Sequence, residues 1–298
     1  MSGLRVSVVL PTLDGAATLP RLLEALARAR GRHPLEIIAI DSGSRDGTVR
    51  LLEKAGARVL DLGGEPFGHA SARNRAAAHA TGDVLLFVTQ DVEPVGESWL
   101  EPLLAALEEP NVAGAFGRQV PRGASPEEAF LAGANYGAAP RRITQTDLAR
   151  PFGPGRTFFS NAFGLVRRAV WEKIPFPRIV MSEDQAWGMA ALRAGHEVRY
   201  VPEAAVYHGH AFTLGRAFRR NFDSGSSLAQ LGVTGGIWGA GLAHLLRELR
   251  WIAREHGWAR IPYTLLYETV RMIAFQCGRM ERVIPRGMAR VLGEAPRR

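Results

Sequence analysis

The sequence predicts an α/β protein: a mostly parallel central sheet covered by helices on both faces, followed by a C-terminal helical extension. Three observations carry this expectation. Short apolar runs alternate with segments of helical periodicity through the first third of the chain. Those runs lack polar alternation, as strands buried on both faces do. Beyond residue 210 the strand signals stop and arginine accumulates.

RVSVVL (5–10) reads as the first strand, and Leu19, Leu22, Leu23 and Leu26 then share one face of a helix. LEIIAID (35–41) is a second strand closing on Asp41; the turn SGSRDG leads into a helix around Val49, Leu51 and Leu52. ARVLDL (57–62), the helical stretch SARNRAAAHA (71–80) and DVLLFVTQ (83–90) continue the series. A helix near Trp99–Leu107 and a strand over VAGAFG (112–117) come next. The Pro- and Gly-rich segment from Pro121 to Arg156 contains aromatics and a helical stretch, PEEAFLAGANY (126–136), which mark it as an ordered insertion on the substrate side. FGLVRR (163–168), a helix after Ser182 and EVRYV (197–201) restore the α/β pattern. From Leu242 onward, Leu245, Leu246, Leu249, Ile252 and Ala253 form one helical face and Arg247, Arg250 and Arg254 another. The expected division is a domain over 1–210, with halves 1–120 and 121–210, and a basic, mainly helical region over 211–298.

The chain has 298 residues and 46% hydrophobic content, enough to fill a large core. One cysteine, Cys277, excludes an internal disulfide framework and a Cys-based zinc site. The opening MSGLRVSVVLPTLDG runs straight into a strand pattern, so no secretory leader is expected and a cytoplasmic location is. The uncharged stretch Ser224–Leu246 is too rich in glycine and polar residues for a spanning helix. The formal net charge of +8 resides in residues 211–298, which hold 14 Arg against 6 acidic residues. A solvated arginine-rich surface accounts for this, as does contact with an anionic partner: a lipid-linked acceptor, membrane headgroups or nucleic acid.

Asp14, Asp41, Asp91 and Asp184 all fall at predicted strand ends or in the loops that follow. One such carboxylate is commonly a cap or turn former. Four converging on one sheet edge suit a nucleotide site, with acceptors for base and ribose and a carboxylate for the cation that screens a diphosphate. A dinucleotide fold is disfavoured, because PTLDGAAT after the first strand lacks the G-x-G-x-x-G fingerprint, and a P-loop is absent.

The segments VSVVLPTLDGAATLPRLLEAL, IIAIDSGSRDGT and GHASARNRAAAHATGDVLLFVTQDVEP, in this order and spacing, resemble the nucleotide-sugar-binding half of the family 2 glycosyltransferases of GT-A fold. The similarity continues through FFSNAFGLVRRAVWEKIPFP, SEDQAWGMAALRAGHEVRYVPEAAVYHGH and FRRNFDSG. The TQD triplet, SEDQAW and FDSG are similar in particular to bacterial rhamnosyltransferases, which use dTDP-rhamnose. The resemblance implies a Rossmann-like GT-A domain and an inverting, cation-dependent transfer from a nucleotide sugar to a glycan or lipid-linked saccharide.

By the same resemblance Thr12, Asp14 and Asp41 fall where nucleobase and ribose are held, with Pro11, Gly43 and Gln90 on the same donor side. Arg73 and Asn74 fall near the diphosphate. Asp91 is the last acid of the D-x-D motif and is expected to hold Mg²⁺ or Mn²⁺ with help from His208; the first acid is replaced by Thr89. Asp184 is the expected catalytic base, Glu183 and Trp187 are expected acceptor contacts, and Arg219 or Arg220 would neutralise the leaving phosphate. His210 is a weaker candidate than His208. Rival readings are a UDP- or GDP-sugar donor, a nucleotidyltransferase, and a basic nucleic-acid binder. The charge balance of the first 210 residues argues against the last, and no nucleic-acid partner is expected. The peripheral contact expected through the C-terminal region is with the inner face of a membrane.

Overall fold

The computed structural model describes residues 3–150, 153–232 and 237–295. The N-terminal half contains β1 (Val6–Thr12), α1 (Leu19–Arg30), β2 (Leu35–Asp41), α2 (Thr48–Lys54), β3 (Arg58–Asp61), α3 (His69–Ala77) and β4 (Val84–Val88). These strands are paired in parallel, β1 between β2 and β4. Successive side chains of β1 face opposite ways, and both faces are covered. Val6, Val8 and Leu10 join the cluster that contains Leu22 and Leu26 of α1, whereas Val9 joins Ile38, Ile40 and Phe87 in the cluster containing Ala72 and Ala76 of α3. This is why the strands read as unbroken apolar runs. Each fully buried Leu or Val here contributes about 1.5–3 kcal/mol.

The second half adds β5 (Glu93–Pro94), α4 (Glu101–Ala106), β6 (Val112–Val120), α5 (Pro126–Asn135), β7 (Arg141–Ile143), β8 (Phe163–Arg167), α6 (Arg168–Trp171), α7 (Glu183–Arg193) and β9 (Glu197–Tyr207). The sheet order is β3-β2-β1-β4-β8-β6-β9-β5, with β7 also on β9. The parallel expectation holds for β1–β4 and for β6 on β9, but β8 is antiparallel to both its neighbours and β5 and β7 are antiparallel to β9, so the whole sheet is mixed. β9 extends six residues beyond the expected EVRYV strand, which carries the chain to His208 at the sheet edge.

The C-terminal region forms α8 (Leu214–Gln230), α9 (Ile237–Glu255), α10 (Ile261–Arg279) and α11 (Arg286–Leu292). Part of the uncharged Ser224–Leu246 stretch, residues 233–236, lies outside the described residues. Gly225 and Gly278 let α8 and α10 cross in backbone contact: a Cβ on either would run into the carbonyl of Phe275 or Phe222. Glu127 on α5 ties this layer to the domain, accepting from Arg260 Nε and Nη2 at 3.0 Å each and from Thr264 Oγ1 at 2.8 Å.

Candidate active site

The loops after β1, β2 and β4 meet at the carboxyl ends of their strands. Gln90, just past β4, clamps the first loop: its Oε1 accepts from Leu13 N at 2.9 Å and its Nε2 donates to Leu13 O at 2.8 Å. Gly15 is required there, since a Cβ would lie 2.5 Å from Gln90 Oε1. Gln90 thus shapes the loop after β1 with one acceptor and one donor of its amide, a structural part beside its expected place as a donor contact. Asp41 accepts from Thr12 Oγ1, Gly43 N, Ser44 N and Ser44 Oγ at 2.6–2.9 Å. Burial opposes its charge, but these four bonds overcome that and hold its pKa below the ordinary carboxylate value. Asp14, exposed and in the left-handed region at φ 45°, accepts from Arg45 N through Oδ1. Pro11, Thr12, Asp14, Asp41 and Gly43 are therefore brought together on one rim.

Asp91 follows on the same edge. The end of β9 delivers His208 and His210 to it, with His208 Nε2 at 3.5 Å and His210 Nε2 at 3.7 Å from Asp91 Oδ2. One ligand atom from each of the three lies within 4.8 Å of the others. Burial alone would raise the Asp91 pKa; the hydrogen bond and charge of His208, then Thr89 and His210, outweigh it and hold the carboxyl well below the usual range. Thr89 contributes by proximity, although its buried Oγ1 closes no bond of good geometry. Burial, then His208, pushes the His210 pKa down to about 4, so its ring is neutral near pH 7 and keeps a lone pair.

His208 Nδ1 lies 2.7 Å from Gln119 Oε1, and Gln119 Nε2 donates to Ser160 Oγ at 2.9 Å. A carboxamide oxygen only accepts, so Nδ1 carries a proton and Nε2 is left to face Asp91. There Nε2 donates to the carboxylate when it holds a proton and would offer a lone pair to a cation that displaces that proton. The donor set of one carboxylate and two imidazoles fits a divalent ion, and it is richer in nitrogen than the oxygen shell expected from Asp91 with His208 alone. Such a set favours Mn²⁺ and related transition ions over Mg²⁺. The second histidine was legible as the H-x-H spacing, which puts both rings on one side of an extended segment.

The antiparallel entry to β8 links this cluster to Asp184. Thr89 N donates to Ala162 O, Ser160 supports Gln119, and Asn161 N approaches Asp184 Oδ2 at 3.4 Å. Asp184 opens α7 and accepts from Gln185 N at 2.7 Å. It is partly accessible, yet desolvation first and the neighbouring Glu183 charge second push its pKa up to about 7. Ser182, two residues before it and the N-cap of α7, sits at φ 63°; Asp14 and Ser182 are the two non-glycine residues with positive φ among the described residues, and both adjoin this edge.

Three expected contacts are corrected by burial, a fourth by its hydrogen bonds and a fifth by its position. Glu183 is 4% exposed, pairing with Arg73 Nη1 at 3.1 Å and accepting from Asn161 Nδ2 at 2.7 Å, so it faces the interior and not an acceptor. Arg73 is correspondingly committed beneath the site. Trp187 is 0% exposed, stacked among Phe159 and Phe176 with Nε1 donating to Ile174 O, and is a core residue. Asn74 is consumed by Phe176 N and O and by Trp171 Nε1. Arg220 lies 4.9 Å over the Phe212 ring, which stacks on His210, but its companion there is Arg216 and not the exposed Arg219. Glu294 accepts from Arg216 Nε at 3.2 Å.

An α/β sheet that gathers an Asp–His–His cluster at its strand ends, with a carboxyl raised toward neutrality at the start of α7, has the parts that a cation-assisted group transferase uses. The model of Glycosyl transferase family 2 matches residues 7–174. The chain belongs to the family 2 glycosyltransferases. It is 28% identical to the O-antigen chain rhamnosyltransferase RfbN of Salmonella typhimurium over 292 residues, covering 95% of this chain and 92% of that protein. It is also 28% identical to the O-antigen chain rhamnosyltransferase WbaN of Salmonella anatum, covering 94% and 90%. Among solved structures it is similar to the mannosyltransferase PcManGT of Pyrobaculum calidifontis in complex with GDP-Man and Mn²⁺, with a TM-score of 0.63 and 16% identity over 95% of this chain and 88% of that one. The fold is GT-A.

Proposed function

We propose that this glycosyltransferase moves L-rhamnose from dTDP-rhamnose, with inversion, onto a hydroxyl of a growing surface glycan or lipid-linked saccharide. The observation that carries the chemistry is a pair of carboxyls with opposed proton affinities on one sheet edge. Asp91 is held ionised and Asp184 is raised to about 7; sites that need one charge-holder and one proton acceptor separate their carboxyls in this way. The sugar assignment rests on the two O-antigen chain rhamnosyltransferases, which align over nearly their whole lengths.

Asp184 takes the proton of the acceptor hydroxyl as its oxygen attacks the anomeric carbon, while the bond from that carbon to the diphosphate oxygen breaks. Asp91, His208 and His210 would hold a divalent cation of the Mn²⁺ type, which would supply charge stabilisation to the diphosphate leaving group. Arg220 and Arg216 add positive charge beside His210. The rim of Pro11, Thr12, Asp14, Asp41 and Gly43 receives the nucleoside.

A thermal-shift panel of dTDP, dTDP-rhamnose, UDP-sugars and GDP-sugars, with and without Mn²⁺, on the wild type and Asp91→Ala tests this. Stabilisation by dTDP-rhamnose that needs both the cation and Asp91 is the expected result. Preference for a UDP- or GDP-sugar would remove the rhamnose assignment and leave the transferase.

A further inference from the structure

Helix α10 has an apolar face on each side. Thr264, Tyr267, Ala274 and Gly278 are buried inward. Outward, Pro262, Leu265, Leu266, Thr269, Met272, Ile273 and Met280 are exposed. At the spacing of an α-helix these outward positions form one stripe, roughly 27 Å long, without a charged residue on it. Leu266 and Ile273 are each 50% exposed. Among the described residues, every exposed large hydrophobic except Leu13 lies between Leu242 and Val291.

The neighbouring helix α9 adds exposed arginine. On α9 the exposed residues Leu242, Leu246, Arg250 and Arg254 follow one another at intervals of four, a row that is apolar at one end and cationic at the other. Trp258, 80% exposed, stands at the junction of α9 and α10. No helix among the described residues is long and apolar enough to cross a membrane. We propose that the α9–α10 face lies on an anionic lipid bilayer, its apolar stripe entering the headgroup boundary and its arginines pairing with lipid phosphates.

Charge selects this occupant over a second copy of the chain. On α9 the exposed charged residues are Arg247, Arg250 and Arg254 against Glu255, because Glu248 is fully buried. Symmetric packing would set arginine against arginine, whereas an anionic surface supplies the missing counter-charge. Trp258 at the margin of the apolar stripe suits the interfacial level of a bilayer. The inference is independent of the donor sugar.

Cosedimentation of the full chain with phosphatidylcholine vesicles, with and without phosphatidylglycerol, at physiological salt tests it. The wild type should pellet with the anionic vesicles and stay in solution with the neutral ones. Leu266→Glu/Ile273→Glu and, separately, Arg250→Glu/Arg254→Glu should each weaken partitioning about tenfold or more, with unchanged thermal unfolding. Three results would overturn the proposal: a soluble wild type, binding indifferent to both double variants, or light scattering that finds a dimer which Leu266→Glu/Ile273→Glu converts to monomer without any vesicle binding. The last would assign the stripe to a second copy.

Discussion

Replacing Asp184 with Asn should destroy activity and stabilise the protein, the second effect growing as pH rises from about 3.8 to about 7. The carboxyl loses water and sits beside Glu183, which raises its pKa from 3.8 to about 7 in the fold. A group raised in this way favours the folded state fully below pH 3.8, and that contribution is lost as pH rises through about 7. The gap corresponds to about 4 kcal/mol if the site were dry, and to about 2 kcal/mol once the water reaching this partly accessible side chain is allowed for. Asparagine carries no charge, so relative to the wild type it should gain roughly 4–8 °C in Tm at pH 8.5, a part of this at pH 5 and none below pH 3.8. A constant offset is expected at every pH, because one of the two amides that bond Asp184, Asn161 N and Gln185 N, would meet the Asn NH₂ group. The difference between pH values isolates the ionisation. Transfer should fall by about 10²–10⁴ in kcat/KM, or about 3–5 kcal/mol of barrier, while stabilisation by dTDP persists. In the wild type kcat/KM should rise with pH and level off above about 7. Retention of activity within fivefold, or a Tm difference that does not change with pH, would refute the assignment of Asp184 as a desolvated base.

Three further outcomes follow from the same geometry. His210→Ala should weaken Mn²⁺ binding by about 10–100-fold, by titration calorimetry or electron paramagnetic resonance, and Mg²⁺ binding much less, because imidazole discriminates between these ions. Arg73→Met should destabilise the fold by about 3–5 kcal/mol in denaturant melts, since it leaves the buried Glu183 carboxylate uncompensated next to Asp184. Glu248→Gln should be near neutral around pH 4 and increasingly stabilising as pH rises toward 8, where the gain levels off: Glu248 is fully buried, and burial first and the Glu268 charge second raise its pKa from 4.5 to about 8, so the wild type loses stability progressively between those values.

The donor half of the fold was legible because its strands are buried on both faces, and unbroken apolar runs have one structural meaning when helices separate them. The second half was less so. β5 and β7 contribute two and three residues to the edge of β9, too few to leave a periodic signal, and the antiparallel direction of β8 follows from how the 121–156 insertion routes the chain. Candidate residues sorted by the same rule. Asp14, Asp91 and Asp184 lie just beyond regular elements or at their first turn, and a polar residue there is either exposed or bonded locally. Glu183, Trp187, Arg73 and Asn74 lie on helices, where a one-residue step turns a side chain by about 100°. Glu183 and Asp184 are adjacent, yet one is buried against Arg73 and the other is reachable; nothing in the string of letters SEDQAW separates them.

The departure at Thr89 acquires a meaning from the end of β9. A carboxylate two residues before Asp91 would add a charged oxygen to the cation site; threonine leaves a neutral hydroxyl whose Oγ1 has no partner. What stands near Asp91 instead is a second imidazole, His210, stacked at 5.1 Å on Phe212 and kept neutral by burial. Exchanging an acid for a neutral nitrogen ligand lowers the negative charge around the cation by one unit. A diphosphate bound beside such a cation would meet a more positive centre, with Arg216 and Arg220 behind it, at the expense of affinity for hard ions such as Mg²⁺. Thr89 and His210, far apart in sequence, therefore act as one change in the electrostatics of a single site.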